Sequence, residues 1–335
     1  MRHIHYLPLE YIETRYTKHL DSDILTYLYN NIGGVNFTKI DPVCRIRPLL
    51  PGQFLESSTT IEYKSKQISE LASRYYDNHI QSGDIIWSSD LWFPGIESIS
   101  YLNLFHKKDV KLRGLLHAGS WTNTDSVRQL ERWAKNFEDI VLDISDKIFV
   151  ASKFIKEDIV QKRFVDPNKL IVTPFPLDSK IVKYKNSVPK EDIIIFNGRN
   201  HPEKQPWLFE ELQNKLKDKY PSYKFIWTLN ENLTKEEYYK LLAKSKIVVS
   251  FALQENFGYG IAEAAYLGCV PVLPNRLVYP EFYKSQTLYD TQYQCVELIE
   301  DILDNWDNKW NNYNAFTLES FNNLNKDSFK IWFNE

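Results

Sequence analysis

Cysteine is scarce in this sequence, and its few copies exclude two kinds of site. The chain has three cysteines in 335 residues, at Cys44, Cys269 and Cys295. None of them has the paired spacing of a zinc site or of a redox motif, and their number is odd. We therefore expect a reducing, cytosolic setting.

Long apolar runs are also missing. The first residues, MRHIHYLPLEYIETRY, lack the apolar core of a signal peptide, and no charge-free stretch is long enough to span a bilayer. We expect a soluble cytoplasmic protein without stable membrane insertion. The 11 glycines beside abundant Lys, Asn, Ile and Tyr are compatible with an AT-rich genome such as that of a phage, and the compartment would then be the host cytoplasm.

Positive charge is not in excess. Lys and Arg number 41 against 44 Asp and Glu, which gives a net charge of -3 and no global attraction to polyanions. A nucleic-acid site would have to be a local basic patch beside aromatic side chains. The candidates are Arg45, Arg47, Lys107, Lys108, Lys111 and Arg113, with Trp87, Trp92 and Trp121. The alternative is that these are unrelated surface charges.

The chain alternates short β-branched or aromatic runs with stretches of helical period, which is the pattern of βα units on parallel sheets. A length of 335 residues favours two such domains. The predicted strands are 3–9, 84–89, 111–119, 146–152 and 169–176 in the first half, and 193–200, 223–230, 246–253 and 269–274 in the second. We predict an α/β fold with Rossmann-like domains at 1–180 and 181–315, a polar linker at 177–191, and a last helix within 316–335 that packs back on the body.

The most informative segment is QENFGYGIAEAAYLGCVPVLP, residues 254–274. A strand is predicted to end at Phe251 or soon after, and Gly258 and Gly260 would let the backbone approach a ligand before a helix begins near Gly260. Glu263 would lie in the first turn of that helix. Free amide groups and the positive end of the helix dipole at the carboxyl edge of a parallel sheet are typical of a phosphate site. The alternative is a plain strand-to-helix turn.

Glu255 and Glu263 form a Glu-x7-Glu pair around these glycines, followed by a small-residue helix and a Val-Pro-Val strand. This combination resembles the signature of the family 4 retaining glycosyltransferases, which have the GT-B fold of two Rossmann-like domains facing each other across a cleft. NGRNHPEKQP, residues 197–206, resembles the G-R-x-x-x-x-K segment of the same family. The resemblance extends over about residues 193–283, and the first half matches only in outline.

The resemblance implies roles for these residues. Glu255 would contact hydroxyls of the donor sugar and Glu263 the ribose, while Arg199 and Lys204 would neutralise the donor diphosphate, a task that otherwise needs a metal ion. No metal or further cofactor is then required beside a UDP- or GDP-sugar co-substrate. The implied donor-binding residues are Arg199, Lys204, Leu233, Thr234, Asn256, Phe257, Gly258, Tyr259, Gly260 and Glu263. The implied catalytic residues are His117, Glu255, Arg199 and Lys204.

The first half offers fewer site residues. His117 lies at the end of a predicted strand, where the family has a histidine near the reacting sugar, although a lone histidine there also suits a hydrogen-bonded structural role. Ser152 matches a turn that the family places opposite the donor. The glycine-rich first loop of the family is missing, and Pro8, Leu9, Glu10, Arg15 and Tyr16 stand in its place. We therefore expect unusual acceptor recognition.

The acceptor is predicted from two further resemblances. PNRLVYPEFY, residues 274–283, resembles tRNA-queuosine mannosyltransferases, and YLPLEYIETRYT with LLHAGSWT resembles phage glycosyltransferases, some of which decorate hydroxymethylated pyrimidines in DNA. Both indicate transfer of a sugar, with retention of configuration, to a modified nucleobase, and we expect a hydroxymethylpyrimidine of phage DNA. The alternatives are a tRNA-queuosine-type base, a surface glycan or lipid-linked acceptor, and a nucleotide-sugar-binding protein without transferase activity.

Overall fold

The computed structural model describes residues 2–10, 16–31, 36–44, 56–316 and 324–334. The chain divides into two compact units. Unit 1 comprises Met1–Phe175 together with Lys326–Glu335, and unit 2 comprises Pro176–Asn325. Unit 1 is therefore built from two separate parts of the sequence, with the whole of unit 2 between them.

Unit 1 is organised around a six-stranded sheet in the order β2-β1-β3-β4-β5-β6, and every paired neighbour is parallel. The strands are β1 His3–Leu7, β2 Asn36–Lys39, β3 Ile85–Ser88, β4 Lys111–Leu115, β5 Lys147–Val150 and β6 Leu170–Val172. The helices are α1 Tyr16–Asn31, α2 Ser57–Tyr76, α3 Ser98–His106, α4 Glu131–Ile144 and α5 Lys153–Lys162. Because all strands run the same way, their carboxyl ends form one edge of the sheet.

Unit 2 contains a five-stranded parallel sheet in the order β11-β10-β9-β7-β8. The strands are β7 Glu191–Phe196, β8 Lys224–Trp227, β9 Ser245–Val249, β10 Val270–Pro274 and β11 Leu288–Tyr289. The helices are α6 Trp207–Leu216, α7 Lys235–Lys244, α8 Tyr259–Tyr266, α9 Tyr279–Phe282 and α10 Gln292–Asp304. Helices α6 and α10 cover one face of the sheet, where Phe196, Phe209 and Ile299 belong to one buried cluster.

The final helix, α11 Leu324–Asn334, belongs to unit 1. Its Trp332 and Phe333 lie against the ring of Trp87 on β3, with ring centroids 5.7 and 4.8 Å apart. Ser328 Oγ donates a hydrogen bond to the carbonyl of Pro174, at 2.7 Å. The core around Trp87 is therefore completed by residues that lie far away in the sequence.

The observed architecture confirms the predicted α/β fold with parallel sheets. Most strands begin close to their predicted positions but end earlier, because apolar loop residues such as Leu116 and Phe251 are buried just beyond the last ladder pairs. The long helix α2 and the short strands β2 and β11 are not among the predicted elements. The predicted linker 177–191 contains a short 3-10 helix, Ser179–Tyr184.

Candidate functional site

The glycine segment follows β9 at the carboxyl edge of the unit 2 sheet. Gly258 has a φ of +81°, in the left-handed region that favours glycine, and it immediately precedes α8. A Cβ added at Gly260 would lie 2.7 Å from Nδ2 of Asn197, a residue of the loop after β7. Gly258 is therefore favoured by its backbone conformation, whereas a larger residue at Gly260 would have to displace the Asn197 amide. No side chain caps the start of α8 at Gly258, and the start of a helix is a place where the helix dipole favours an anion.

The helix begins one residue earlier than predicted, and this corrects the position of Glu263. Because Tyr259 is already helical, Glu263 lies just beyond the first turn of α8 and not within it. Its carboxylate is 3% exposed and accepts a hydrogen bond from Lys235 Nζ at 2.7 Å. The hydroxyl of Tyr239 lies 3.0 Å from Glu263 Oε1 and 3.0 Å from Asp178 Oδ2. Burial and these two carboxylates raise the pKa of Tyr239.

Lys204 connects the two predicted motifs. Its ammonium group donates to Glu255 Oε2 at 3.1 Å and to the Gln254 carbonyl at 2.6 Å. The loop after β7 is thereby bonded to the loop after β9. Arg199 and Lys204 both lie at this edge of the sheet, so the structure brings the Arg–Lys motif and the Glu-x7-Glu motif to the same place.

Glu203 is a member of this cluster that sequence reasoning missed. It is buried and forms an ion pair with Arg199, and its Oε1 lies 3.9 Å from Lys204 Nζ. The Glu203 carboxylate therefore contacts Arg199 and lies near Lys204, the two cations that the resemblance implies for phosphate binding. Its place directly before Lys204, in the Pro-Glu-Lys turn, was the available signal.

Leu233 and Thr234 directly precede α7. Thr234 is the N-cap of α7, and its hydroxyl and backbone amide both bond with Glu237 in a capping box. Leu233 lines a groove with Tyr184 and Ile226, and the glycine segment is not part of that lining. Among the described residues, Tyr238 is closer to the glycines, since its hydroxyl lies 3.4 Å from Asn197 Nδ2.

The remaining predicted residues of the segment divide into two groups. Phe257 is buried and packs edge-on against Tyr259 and Phe282, so its side chain anchors the loop and leaves only the backbone to a ligand. Asn256 lies on the loop, where its Oδ1 accepts a hydrogen bond from Gln254 at 2.9 Å. These contacts fix the shape of the loop that holds Glu255.

His117 belongs to unit 1, so it is in a different unit from the other predicted catalytic residues. It follows β4, and its Nε2 donates to the Ser89 carbonyl at 2.8 Å. Burial lowers the pKa of His117 to about 4, so the imidazole is neutral at pH 7. The hydrogen bond to Ser89 fits the structural role of a lone histidine. The position of His117 at the carboxyl edge of the unit 1 sheet also fits a functional role near the reacting sugar. Ser152 is the buried N-cap of α5.

Several residues of the predicted basic patch with aromatic neighbours are buried or ion-paired, whereas Lys107 is exposed. Trp87 and Trp121 are buried in the core and offer no stacking surface. Arg113 is also buried and bonds to Asp146 at 2.7 Å, while Lys111 pairs with a neighbouring carboxylate. Arg15, Arg45 and Arg47 lie outside the described residues.

The described residues show neither a metal-binding cluster nor a helix able to cross a membrane. Within them, no group of three or more His, Cys, Asp or Glu side chains is arranged to hold a metal ion. None of their helices combines the length and the apolar character that crossing a membrane requires.

The chain is similar to known proteins in sequence over a short stretch and in structure over nearly its whole length. No protein-family model matches the chain. It is similar to the tRNA-queuosine alpha-mannosyltransferase of Drosophila melanogaster, with 43% identity over 86 residues, which cover 26% of this chain and 21% of that protein. The chain thus spans about a fifth of the length of this curated relative.

Solved structures cover much more of the chain. Sucrose-phosphate synthase of Thermosynechococcus elongatus superposes with a TM-score of 0.64 at 12% identity, over 99% of this chain and 95% of that one. The pneumococcal O-GlcNAc transferase GtfA, in complex with UDP and GlcNAc, superposes with a TM-score of 0.54 at 14% identity, over 78% of this chain and 58% of that one.

Two parallel-sheet α/β units and these likenesses define the class of the molecule. The chain has the GT-B fold, the architecture of glycosyltransferases.

Proposed function

We propose that this chain is a glycosyltransferase that uses a nucleotide-sugar donor and binds it at the carboxyl edge of the unit 2 sheet. The supporting observation is that Arg199, Lys204, Glu255 and the uncapped start of α8 meet at this edge. Two cations and a helix N-terminus make a site for a diphosphate, because each offers donors or positive charge to phosphate oxygens. The GT-B fold and the likeness to a UDP-bound transferase support a UDP-sugar over other donors.

Each site residue then has a defined task. Arg199 and Lys204 neutralise the diphosphate, and the amide groups of Tyr259 and Gly260 bind its oxygens. Glu255 accepts hydrogen bonds from hydroxyls of the donor sugar. Glu263 accepts hydrogen bonds from the ribose hydroxyls, and Lys235 together with Tyr239 holds its carboxylate in place.

The reaction develops negative charge on the leaving diphosphate. The bond between the anomeric carbon and the phosphate oxygen breaks with its electron pair on that oxygen, while the acceptor oxygen bonds to the same carbon and its proton passes to the leaving phosphate. Fixed cations stabilise this charge more in the transition state than in the bound donor, which is what accelerates the step. We propose attack from the face of the leaving group, so that configuration is retained without a carboxylate nucleophile.

For the acceptor we propose a hydroxyl group of a modified nucleobase. The 43% identity over 86 residues to a protein named as a tRNA-queuosine mannosyltransferase supports this choice. Of the aromatic and basic residues first considered for nucleic-acid binding, Trp87, Trp121 and Arg113 are buried and Lys111 is ion-paired, so these four give it no support. The hydroxymethylpyrimidine of phage DNA therefore remains part of the proposal through the sequence resemblance alone.

The deciding experiment is transfer of radiolabel from a panel of nucleotide sugars to bulk tRNA, hydroxymethylated DNA and unmodified DNA. Hydrolysis of the donor is followed in parallel. Label in tRNA or in modified DNA alone supports the nucleobase acceptor and identifies the donor. Donor hydrolysis without label in any nucleic acid would overturn the acceptor and leave the transferase proposal standing. Absence of both nucleotide binding and donor hydrolysis would overturn the proposed function.

A further inference from the structure

A buried carboxylate lies against the cations of the proposed donor site. Glu203 belongs to the short 3-10 helix Pro202–Lys204, in the loop between β7 and α6. Its Oε1 forms an ion pair with Arg199 and lies 3.9 Å from Lys204 Nζ, and its Oε2 lies 3.7 Å from Nδ1 of His201. One carboxylate is therefore surrounded by three basic side chains of a single loop.

Glu203 is shielded from solvent, whereas its partners are partly exposed. The side chain of Glu203 is 2% exposed, while that of Arg199 is 27% exposed and that of Lys204 is 11% exposed. A phosphate group at this edge of the sheet can therefore meet the two cations but not the carboxylate behind them. Any influence of Glu203 on a bound diphosphate must act through its neighbours.

The backbone of Glu203 fixes the same turn to the neighbouring loop. Its carbonyl accepts a hydrogen bond from the Leu253 amide at 2.7 Å, beside the bonds that Lys204 donates to Gln254 and Glu255. The turn is thus bonded to the loop after β9 at three points. The carboxylate is carried by this turn, so it presents a fixed negative charge to the basic side chains around it.

The burial of this carboxylate is not explained by stability alone. Among the described residues, Glu203 Oε2 has no hydrogen-bond partner. A buried carboxylate oxygen in this state costs free energy, and a buried ion pair such as that with Arg199 contributes little net stability. The contribution of Glu203 is therefore expected in the orientation of the guanidinium group.

We propose that Glu203 is a positioning residue of the donor site, whose carboxylate holds Arg199 in the orientation that meets the diphosphate. This inference rests on the proposed function, because it concerns how that site binds the diphosphate of its donor. Arg199 has a long side chain with many rotamers, and a fixed carboxylate on one side of the planar guanidinium leaves its other side in a defined place. The ligand class recognised in this way is a nucleoside diphosphate.

The test compares UDP with uridine, which has the same base and ribose but no phosphate. Glu203→Gln keeps the size of the side chain and removes its charge. We expect the dissociation constant of UDP to rise about 10-fold, the loss typical of a hydrogen bond to a charged group, while that of uridine stays as in the wild type. Displacement of a labelled nucleotide measures both constants. Glu300→Gln, at a carboxylate of unit 2 that pairs with Lys219, is the matched control and should change neither.

A double-mutant cycle with Arg199 separates positioning from a structural role. Arg199→Met should weaken UDP binding by itself. Because Glu203 acts through Arg199, Glu203→Gln should then cause little further loss, so the two losses are not additive. A carboxylate that only supports the fold would add its full loss. Glu203→Asp keeps the charge on a shorter side chain and should bind UDP with intermediate strength. It takes the place of Glu203→Gln in the cycle if thermal unfolding shows that Glu203→Gln does not fold.

Each outcome decides for or against the proposal. UDP binding by Glu203→Gln that is as tight as in the wild type, or tighter, overturns it, since the carboxylate would then only compete with phosphate for the cations. Equal losses for UDP and uridine, or additive losses in the cycle, show a structural role and also overturn it. A wild type that neither binds UDP nor hydrolyses a nucleotide sugar shows instead that the proposed function has failed.

Discussion

Lys204 Nζ lies 3.1 Å from Glu255 Oε2, although the two residues are 51 positions apart in the sequence. The contact exists because β7 and β9 are adjacent in the sheet and the loops that follow them leave from the same edge. In the proposed function, Lys204 binds the diphosphate and Glu255 binds the sugar. The hydrogen bond between them fixes both side chains before the donor binds. Pre-organisation of this kind reduces the cost of ordering the site on binding.

The first prediction concerns this pair. Lys204→Met should reduce the rate of donor cleavage about 100- to 1000-fold, because a fixed positive charge is removed from the place where negative charge develops. Thermal unfolding of the variant is recorded beside its activity, so that loss of the fold is separated from loss of the charge. Lys219→Met, which breaks an exposed ion pair with Glu300 in the same unit, serves as the control and should keep full activity. Full activity of Lys204→Met would refute the assigned role.

The second prediction distinguishes the two carboxylates of the Glu-x7-Glu pair. Glu263→Gln should weaken the binding of UDP and of the nucleotide sugar equally, about 10- to 100-fold, because the ribose is common to both. Glu255→Gln should weaken only the binding of the nucleotide sugar. Titration calorimetry with the two ligands measures both effects. Tyr239→Phe keeps the Lys235 contact of Glu263 and should have a smaller effect. Equal losses for UDP in the two glutamate variants would contradict the assignment.

The third prediction concerns stability in acid. Burial, and next the charge of His3, lower the pKa of His5 from 6.5 to about 4, and its Nε2 lies 3.4 Å from Asp84 Oδ2. The unfolded chain therefore takes up a proton at higher pH than the folded one, so this part of the stability is present above pH 6.5 and is lost as pH falls toward 4. The loss amounts to roughly 3 kcal/mol by pH 4.

The measurement compares unfolding free energies of wild type and His5→Phe across pH 7 to pH 4. The difference between the two proteins should shift by the stated amount in favour of the variant as the solution becomes acid. Leu104→Ala, at an exposed leucine of the same unit, removes no titratable group and should show a constant difference from the wild type. Parallel curves for wild type and His5→Phe would show that His5 titrates normally.

The fourth prediction concerns the last helix. Trp332 is fully buried, so Trp332→Ala should destabilise unit 1 by about 3 to 5 kcal/mol through the cavity left beside Trp87. Unit 2 has its own sheet and core, and its unfolding transition should stay in place. Trp133→Ala removes a half-exposed tryptophan of unit 1 and should cost much less. Denaturant unfolding followed by hydrogen exchange separates the units, and an equal loss in both units would count against this division.

The sequence predicted the elements that form continuous apolar runs and missed those that do not. Strands of a parallel sheet are buried on both faces, so β3, β7 and β9 are readable as runs of large apolar residues. Helix α2 was missed, although it has 20 residues, because Ser, Thr, Lys and Gln dilute its apolar stripe. Strand β11 has only two residues and is too short to show any period.

The candidate site was predictable where its residues lie next to glycines or in a spaced motif. Glu255, Glu263, Arg199 and Lys204 were found in this way, and their roles stay predictions until they are measured. Tyr238 has no such local signature, because its contact with Asn197 comes from packing between segments 41 positions apart in the sequence. The same packing assigns Phe257 to the core, which an apolar residue in a loop does not reveal by itself.

The split origin of unit 1 has a consequence for synthesis on the ribosome. When Phe175 has been made, the sheet of unit 1 is complete, but Trp87 still lacks Trp332 and Phe333, which follow only after all of unit 2. Unit 2 is a continuous segment and can fold as it emerges. Unit 1 is therefore the first unit to begin folding and the last to be completed. Until α11 is made, the surface around Trp87 is uncovered, and the nascent chain is then most exposed to chaperones and to aggregation.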